Sequence, residues 1–135
     1  MKRIHFRTVI VGLLISWGIE ALIPLIHTIL DFVIRTNLRY PLTHYLLWGY
    51  LAVVLSGIYV GFSKTNNKVI NGLVVGIFYY AFLSLFIGLI TGRHLWSDLL
   101  LFGYALLKRG FICAIVAWGV YRSKVLLTRK LEGKT

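Results

Sequence analysis

The sequence predicts an all-α, polytopic membrane protein with four transmembrane helices, and three observations carry this prediction. Hydrophobic residues make up 59% of the 135 residues and charged residues only 14%, whereas soluble domains are nearer half apolar and a quarter charged. Apolar segments, each close to the roughly 20 residues that span a bilayer, occupy most of the chain. The connectors between them are short and polar. We therefore treat residues 1–135 as a single membrane domain.

Each apolar segment is expected to be an α-helix, because backbone groups inside a bilayer must bond to one another. The expected helices cover about residues 8–34, 44–62, 69–91 and 99–121. The first segment is too long for the apolar region of a signal peptide and lacks a small-residue cleavage site, so we expect it to remain as an uncleaved helix.

The fourth segment is interrupted by Lys108 and Arg109, and two arrangements are open for it. In one, residues 99–121 span the bilayer. In the other, residues 95–109 lie in the interface as an amphipathic helix and residues 110–127 span. We favour the full fourth span.

The distribution of Lys and Arg orients the helices. The N-terminal tail, the 63–68 connector and the C-terminal tail carry three, two and five of them, against two and one in the other connectors. The positive-inside rule therefore places both termini in the cytoplasm. Because the basic residues lie at the ends of apolar segments, the net charge of +11 indicates contact with the lipid bilayer and not with nucleic acid.

The first helix carries ionisable residues within its apolar run. At 100° per residue, Ser16, Glu20, Pro24, His27 and Asp31 share one face. Pro24 lacks an N–H and so leaves the Glu20 carbonyl without its usual helical partner. A carboxyl group beside a free carbonyl at mid-membrane depth is a candidate cation or proton site. The alternative is that Glu20 is protonated or ion-paired and only holds helices together.

Two basic residues of the fourth helix, Lys108 and Arg109, lie at a depth that matches Glu20. A lone buried charge is costly, so we predict that Glu20 contacts one of them. Tyr79 and Tyr80 lie halfway along the third helix and point about 100° apart, so at most one of them faces Glu20 and can donate a hydrogen bond to it. Glu20, Pro24, His27, Lys108, Arg109 and Tyr80 form the candidate intramembrane polar site.

A second acid–base pair is expected near the outer boundary, where Asp31 can bond to Arg35 or to Arg93. No spacing of His, Cys, Asp or Glu is typical of a metal site, and the single cysteine, Cys113, excludes an intrachain disulfide. The sequence contains no nucleophile elbow and no phosphate-binding loop. We therefore expect no enzymatic activity, no metal and no cofactor.

Two glycine pairs flank the polar 63–68 connector. Gly57 and Gly61 lie at the end of the second helix, and Gly72 and Gly76 at the start of the third. Each pair has the i, i+4 spacing that places both glycines on one helix face, where backbones can approach closely. This predicts a tight helical hairpin packed within the chain; a dimerisation face is the alternative.

This hairpin resembles that of a group of small four-helix bacterial membrane proteins of unknown function. The residues that carry the resemblance are Ser56, Gly57, Gly61, Asn71, Gly72, Gly76, Tyr79 and Tyr80. It covers about residues 50–120 and implies a four-helix fold in the cell membrane, without implying an activity. The pair Lys108 and Arg109 departs from the group. A competing resemblance, to small multidrug transporters, consists of Glu20 in the first helix, and their third-helix pattern is absent.

These features predict a structural, regulatory or accessory component of the bacterial cytoplasmic membrane. Its expected partners are the lipid bilayer and either another membrane protein or a second copy of the chain. The alternative is a small ion- or proton-coupled transporter that uses Glu20.

Overall fold

A computed structural model describes residues 4–34, 42–91 and 99–132. These residues form four α-helices: α1 (Phe6–Ile34), α2 (Leu42–Phe62), α3 (Lys68–Thr91) and α4 (Leu99–Glu132). Helices α1, α3 and α4 contain stretches long and apolar enough to cross a membrane, and α2 contributes a shorter apolar stretch, Leu47–Phe62. The prediction of an all-α membrane fold is confirmed.

Helix α4 agrees with the favoured expectation at one point and differs from it at another. Residues 99–132 form one continuous helix that passes through Lys108 and Arg109, so a separate interfacial helix ending at residue 109 is not what the chain forms. The helix also runs on from Tyr121 to Glu132, where the sequence indicated only a tail. No Gly or Pro interrupts this stretch, which is rich in the good helix formers Leu, Lys and Arg. At 1.5 Å per residue, α4 is about 51 Å long and exceeds a hydrocarbon core of roughly 30 Å.

The helices pack in a definite order around the α2–α3 hairpin. Helix α4 makes its largest interface with α3 and a second one with α2, while α1 packs against α2 and α3. Among the described residues, α1 and α4 do not pack against each other. The hairpin therefore lies between the first helix and the last, and any interaction between them must pass through it.

The two glycine pairs of the hairpin face α4 rather than each other. A β-carbon on Gly57 would lie 2.9 Å from the Cys113 carbonyl oxygen, and one on Gly61 would lie 2.8 Å from the Ala117 carbonyl oxygen. On α3, a β-carbon on Gly72 would lie 3.0 Å from the Ala114 Cα, and one on Gly76 would lie 2.7 Å from the Gly110 Cα. A real β-carbon rarely or never lies this close to another heavy atom. The four glycines therefore allow the backbone of α4 to contact the backbones of α2 and α3 directly.

Few apolar side chains are buried between the helices, and many more face outward. Fully buried apolar residues run along the centre of the bundle: Val9, Ala52, Val53, Val60, Val75, Tyr79, Cys113 and Ala117. Many larger apolar side chains point outward instead, with Phe32 85% and Leu100 86% exposed. A soluble protein would not present so much contiguous apolar surface to water, whereas a lipid environment accommodates it.

Candidate functional site

The Glu20 carboxylate of α1 is bound by α3. The Tyr79 hydroxyl donates a hydrogen bond to Glu20 Oε1. Tyr79 is completely buried, while Glu20 is only half-buried. A carboxylate that accepts a hydrogen bond from a buried hydroxyl joins the two helices through their side chains.

Arg109 of α4 lies against aromatic rings of α2 and α3. Its guanidinium carbon is 3.9 Å from the centroid of the Tyr80 ring and 5.5 Å from that of Tyr50 in α2. The residue is only 9% exposed. This is a cation–π arrangement, which is worth about 0.5–2 kcal/mol depending on how far the cation is desolvated. Among the described residues, no acceptor lies within hydrogen-bond distance of the buried Arg109 Nε.

Gly49 of α2 lies close to both the hydrogen-bonded pair Glu20–Tyr79 and the Arg109 guanidinium. A β-carbon at this position would lie 3.3 Å from Glu20 Oε1, 3.7 Å from the Tyr79 hydroxyl and 3.9 Å from Arg109 Nη2. The acid and the base thus approach the same small space beside α2, and the absence of a side chain on Gly49 keeps that space open. We call Glu20, Gly49, Tyr50, Tyr79, Tyr80 and Arg109 the central cluster. All four helices contribute to it.

The central cluster contains part of the predicted polar site and rearranges it. The direct partner of Glu20 is the Tyr79 hydroxyl, where the sequence suggested Lys108 or Arg109. Lys108 is exposed, and its Nζ lies 5.4 Å from the centroid of the Tyr50 ring. It therefore belongs to the outer surface of the bundle. Arg109 points inward but is held by the aromatic ring of Tyr80.

The remaining residues of the polar face of α1 do not join the cluster. Pro24 is exposed, and α1 continues through it without interruption. Its carbonyl accepts a 2.8 Å hydrogen bond from the Thr28 hydroxyl. His27 is buried elsewhere on the helix. The predicted pairing of Asp31 with Arg35 or Arg93 falls outside the described side chains.

Two members of the cluster were not singled out by the sequence, and a third, Tyr79, was considered but left out of the candidate site in favour of Tyr80. Tyr79 was weighed beside Tyr80, and its spacing of three and seven residues from Gly76 and Gly72 does place it on the interior face of α3. Gly49 and Tyr50 gave no comparable signal, because a single glycine and a single tyrosine in an apolar helix have many ordinary uses.

A second polar contact lies one turn from Glu20 along α1. The Ser16 and Ser56 hydroxyls, both completely buried, are 2.5 Å apart, and Ser56 Oγ also lies 2.9 Å from the Gly12 carbonyl oxygen. This contact joins α1 to α2, as the Glu20–Tyr79 bond joins α1 to α3. Ser16 and Glu20, on the polar face of α1, are therefore bound by the two arms of the hairpin.

No group of three or more His, Cys, Asp or Glu residues within the described part of the chain is placed to hold a metal ion. No family model, curated protein or solved structure matches the chain. The function must therefore be inferred from the contacts of the cluster itself.

Proposed function

We propose that this chain is a non-enzymatic structural, regulatory or accessory component of a membrane, and that the central cluster fixes the positions of its four helices. The hydrogen bond from Tyr79 to Glu20 is the observation that supports this most strongly. Its donor is a fully buried side chain of another helix, so the carboxylate contributes to helix association. Polar side chains commonly join helices in this way inside membranes.

The contacts of Arg109 support the same role. Its guanidinium lies on the Tyr80 ring and close to Gly49, within the bundle and between the helices that it joins. The planar guanidinium is suited to this because it stacks on aromatic faces and is more weakly hydrated than an ammonium group. Both charged groups of the cluster are thus engaged by neighbouring helices.

We further propose a multi-pass arrangement in the bacterial cytoplasmic membrane with both termini in the cytoplasm. The excess of Lys and Arg in the two tails and the 63–68 connector supports this orientation. The proposed partners are the bilayer and either a second membrane protein or another copy of the chain, and nucleic acid is not among them. The extensive outward-facing apolar surface provides the area for such contacts.

The substitution Glu20→Gln tests the proposed role of the cluster. It keeps the shape of the side chain but removes its charge, so the hydrogen bond from Tyr79 weakens and the unfolding temperature in mild detergent should fall. Thr28→Val is the matched control, because Thr28 is an exposed polar residue of the same helix whose hydroxyl donates to the Pro24 carbonyl of that helix.

The same variants are then reconstituted into liposomes that contain a pH-sensitive dye. We expect wild-type liposomes to conduct protons no faster than empty ones. The opposite result would favour a transporter: a proton flux through the wild type that Glu20→Gln abolishes without lowering the unfolding temperature.

Purification from native cells in a gentle detergent tests the accessory role separately. A membrane protein that co-purifies in a fixed stoichiometry, or a stable homo-oligomer, is the expected result. A chain that remains monomeric and without a partner under these conditions would contradict this part of the proposal.

A further inference from the structure

A basic pocket lies where the α2–α3 turn meets the C-terminal extension of α4. The cavity measures about 330 Å³. Four basic residues line it: Lys64, Lys68, Lys124 and Arg129. Ser63, Thr65 and Thr128 line it as well, and none of its described lining residues is acidic. We call this cavity the basic pocket.

Lys68 is the residue whose surroundings most clearly favour the binding of an anion. It is only 6% exposed. Its Nζ donates a 3.3 Å hydrogen bond to Ser63 Oγ and lies 5.7 Å from the centroid of the Tyr121 ring. Both of these partners are neutral, and the charged residues that share its cavity are also basic. A buried ammonium group is normally paired with an acid, and an anion that enters the cavity can supply the counter-charge that its described lining residues do not.

The donors of the basic pocket suit a phosphate group. Ammonium and guanidinium groups donate hydrogen bonds, and phosphate oxygens accept several at once. Basic pockets between transmembrane helices, close to the membrane surface, are a recognised setting for anionic lipid headgroups. The basic pocket has this setting, because Lys68 begins the membrane-spanning stretch of α3.

An apolar groove beside the basic pocket distinguishes a lipid from a free anion. The groove has a volume of about 440 Å³ and shares Lys124 and Thr128 with the pocket. Its other lining residues include Phe62, Val120 and Leu127. A free phosphate ion would use only the pocket, whereas a phospholipid could place its headgroup in the pocket and part of its apolar body in the groove.

We propose that the basic pocket binds the phosphate-bearing headgroup of an anionic phospholipid, with the adjoining groove in contact with its glycerol backbone and acyl chain. This proposal does not depend on the role of the central cluster, which lies elsewhere in the bundle. It assigns a specific ligand site to side chains that the positive-inside rule treats only as an orientation signal.

The test measures binding of short-chain lipids to the full chain purified in a neutral detergent, by isothermal titration calorimetry. The ligands are dioctanoyl phosphatidylglycerol, zwitterionic dioctanoyl phosphatidylcholine and inorganic phosphate. We expect saturable binding of phosphatidylglycerol that is at least tenfold tighter than that of either other ligand. Lys68→Met and Lys124→Gln should each weaken it about fivefold, which corresponds to the ~1 kcal/mol attributed to a basic side chain near an anionic membrane surface.

Lys130→Gln is the matched control, because Lys130 is an exposed basic residue of the same helix that does not line the pocket. Its affinity for phosphatidylglycerol should equal that of the wild type. Lys124 is exposed, so Lys124→Gln should keep the fold and remains informative even if Lys68→Met does not fold.

Three results would overturn the proposal. Equal affinities for phosphatidylglycerol and phosphatidylcholine would show that the negative headgroup is not recognised. Equal affinities for phosphatidylglycerol and inorganic phosphate would assign the pocket to a free anion. An equal loss for Lys124→Gln and Lys130→Gln would show that the lipid responds to overall charge rather than to this pocket.

Discussion

Arg109 in the central cluster and Lys68 in the basic pocket are both basic residues that the fold almost completely buries, with 9% and 6% exposed. Their surroundings differ. Arg109 lies on the Tyr80 ring and approaches the same space as the Glu20 carboxylate. Lys68 contacts a hydroxyl group and a more distant aromatic ring, in a cavity whose other charged residues are basic.

The difference separates two uses of buried charge. In the central cluster the fold provides the compensating groups itself, so the cluster can contribute to the stability of the isolated chain. In the basic pocket it gathers like charges without an acid, which is unfavourable until an anion enters. The charges of the first region have partners within the chain, and those of the second are expected to find one in a ligand.

Gly76→Val should have the largest effect, because it disturbs both regions at once. A side chain at this position would meet the backbone of Arg109 and Gly110, and would separate α3 from α4. We expect a loss of about 3 kcal/mol in the free energy of unfolding, the upper end of the usual range for overpacked sites, measured by denaturant titration in mixed micelles. Gly103→Val is the control, since a β-carbon there has no neighbour within 4 Å. Similar losses of stability for both variants would mean that the α3–α4 interface at Gly76 is not tightly packed.

Tyr79→Phe should be the next most damaging change and should affect only the central cluster. It removes the hydroxyl group that binds Glu20 and leaves a carboxylate without its donor, at an expected cost of about 2 kcal/mol. Tyr104→Phe, which removes a hydroxyl from a 64% exposed residue, should cost almost nothing. If lipid binding at the basic pocket weakened along with stability, the two regions would not be independent.

Substitution of Tyr80 distinguishes the ring from its hydroxyl. Tyr80→Leu should lower stability by about 1 kcal/mol through loss of the cation–π contact with Arg109, whereas Tyr80→Phe keeps the ring and should behave as the wild type. Thermal unfolding of both variants in the same detergent makes the comparison. Equal destabilisation by the two substitutions would indicate that Arg109 depends on the hydroxyl and not on the aromatic face.

Lys68→Met should have the smallest effect on stability, and this is the sharpest contrast with the central cluster. In neutral detergent without anionic lipid we expect a change within about 0.5 kcal/mol of the wild type, since the variant removes a buried charge from a group of like charges. Phosphatidylglycerol should raise the unfolding temperature of the wild type and have much less effect on the variant. A loss as large as that of Tyr79→Phe in the absence of lipid would show that Lys68 is already compensated within the chain.

Much of the fold follows from the sequence because hydropathy and length determine where helices can cross a bilayer. The expected limits of α1, α2 and α3 lie within two residues of those in the structure. The end of α4 was wrong, because charged residues beyond Tyr121 were taken as the end of a helix when they only mark the end of its apolar part. The basic pocket was missed for the same reason, since it forms between this extension and the α2–α3 turn.

The central cluster could be predicted only in part. Periodicity indicates that Glu20 faces the interior, but the rotation of each helix about its axis decides which neighbour it meets. Tyr79 and Tyr80 are adjacent, and each contacts a different charged residue: Tyr79 binds Glu20, and Tyr80 stacks on Arg109. The glycines likewise indicate close approach without indicating that the approaching helix is α4.

The position of Tyr79 in the chain has a consequence for synthesis. It follows Glu20 by 59 residues, which take roughly 3–12 s to add at typical translation rates. Throughout that interval α1 has been synthesised but Tyr79 has not. The Glu20 carboxylate therefore has no hydrogen-bond donor from α3 until α3 is made. Once α3 arrives, the same bond can retain α1 in the bundle. Stable membrane integration of the first helix should therefore depend on a residue made long after it.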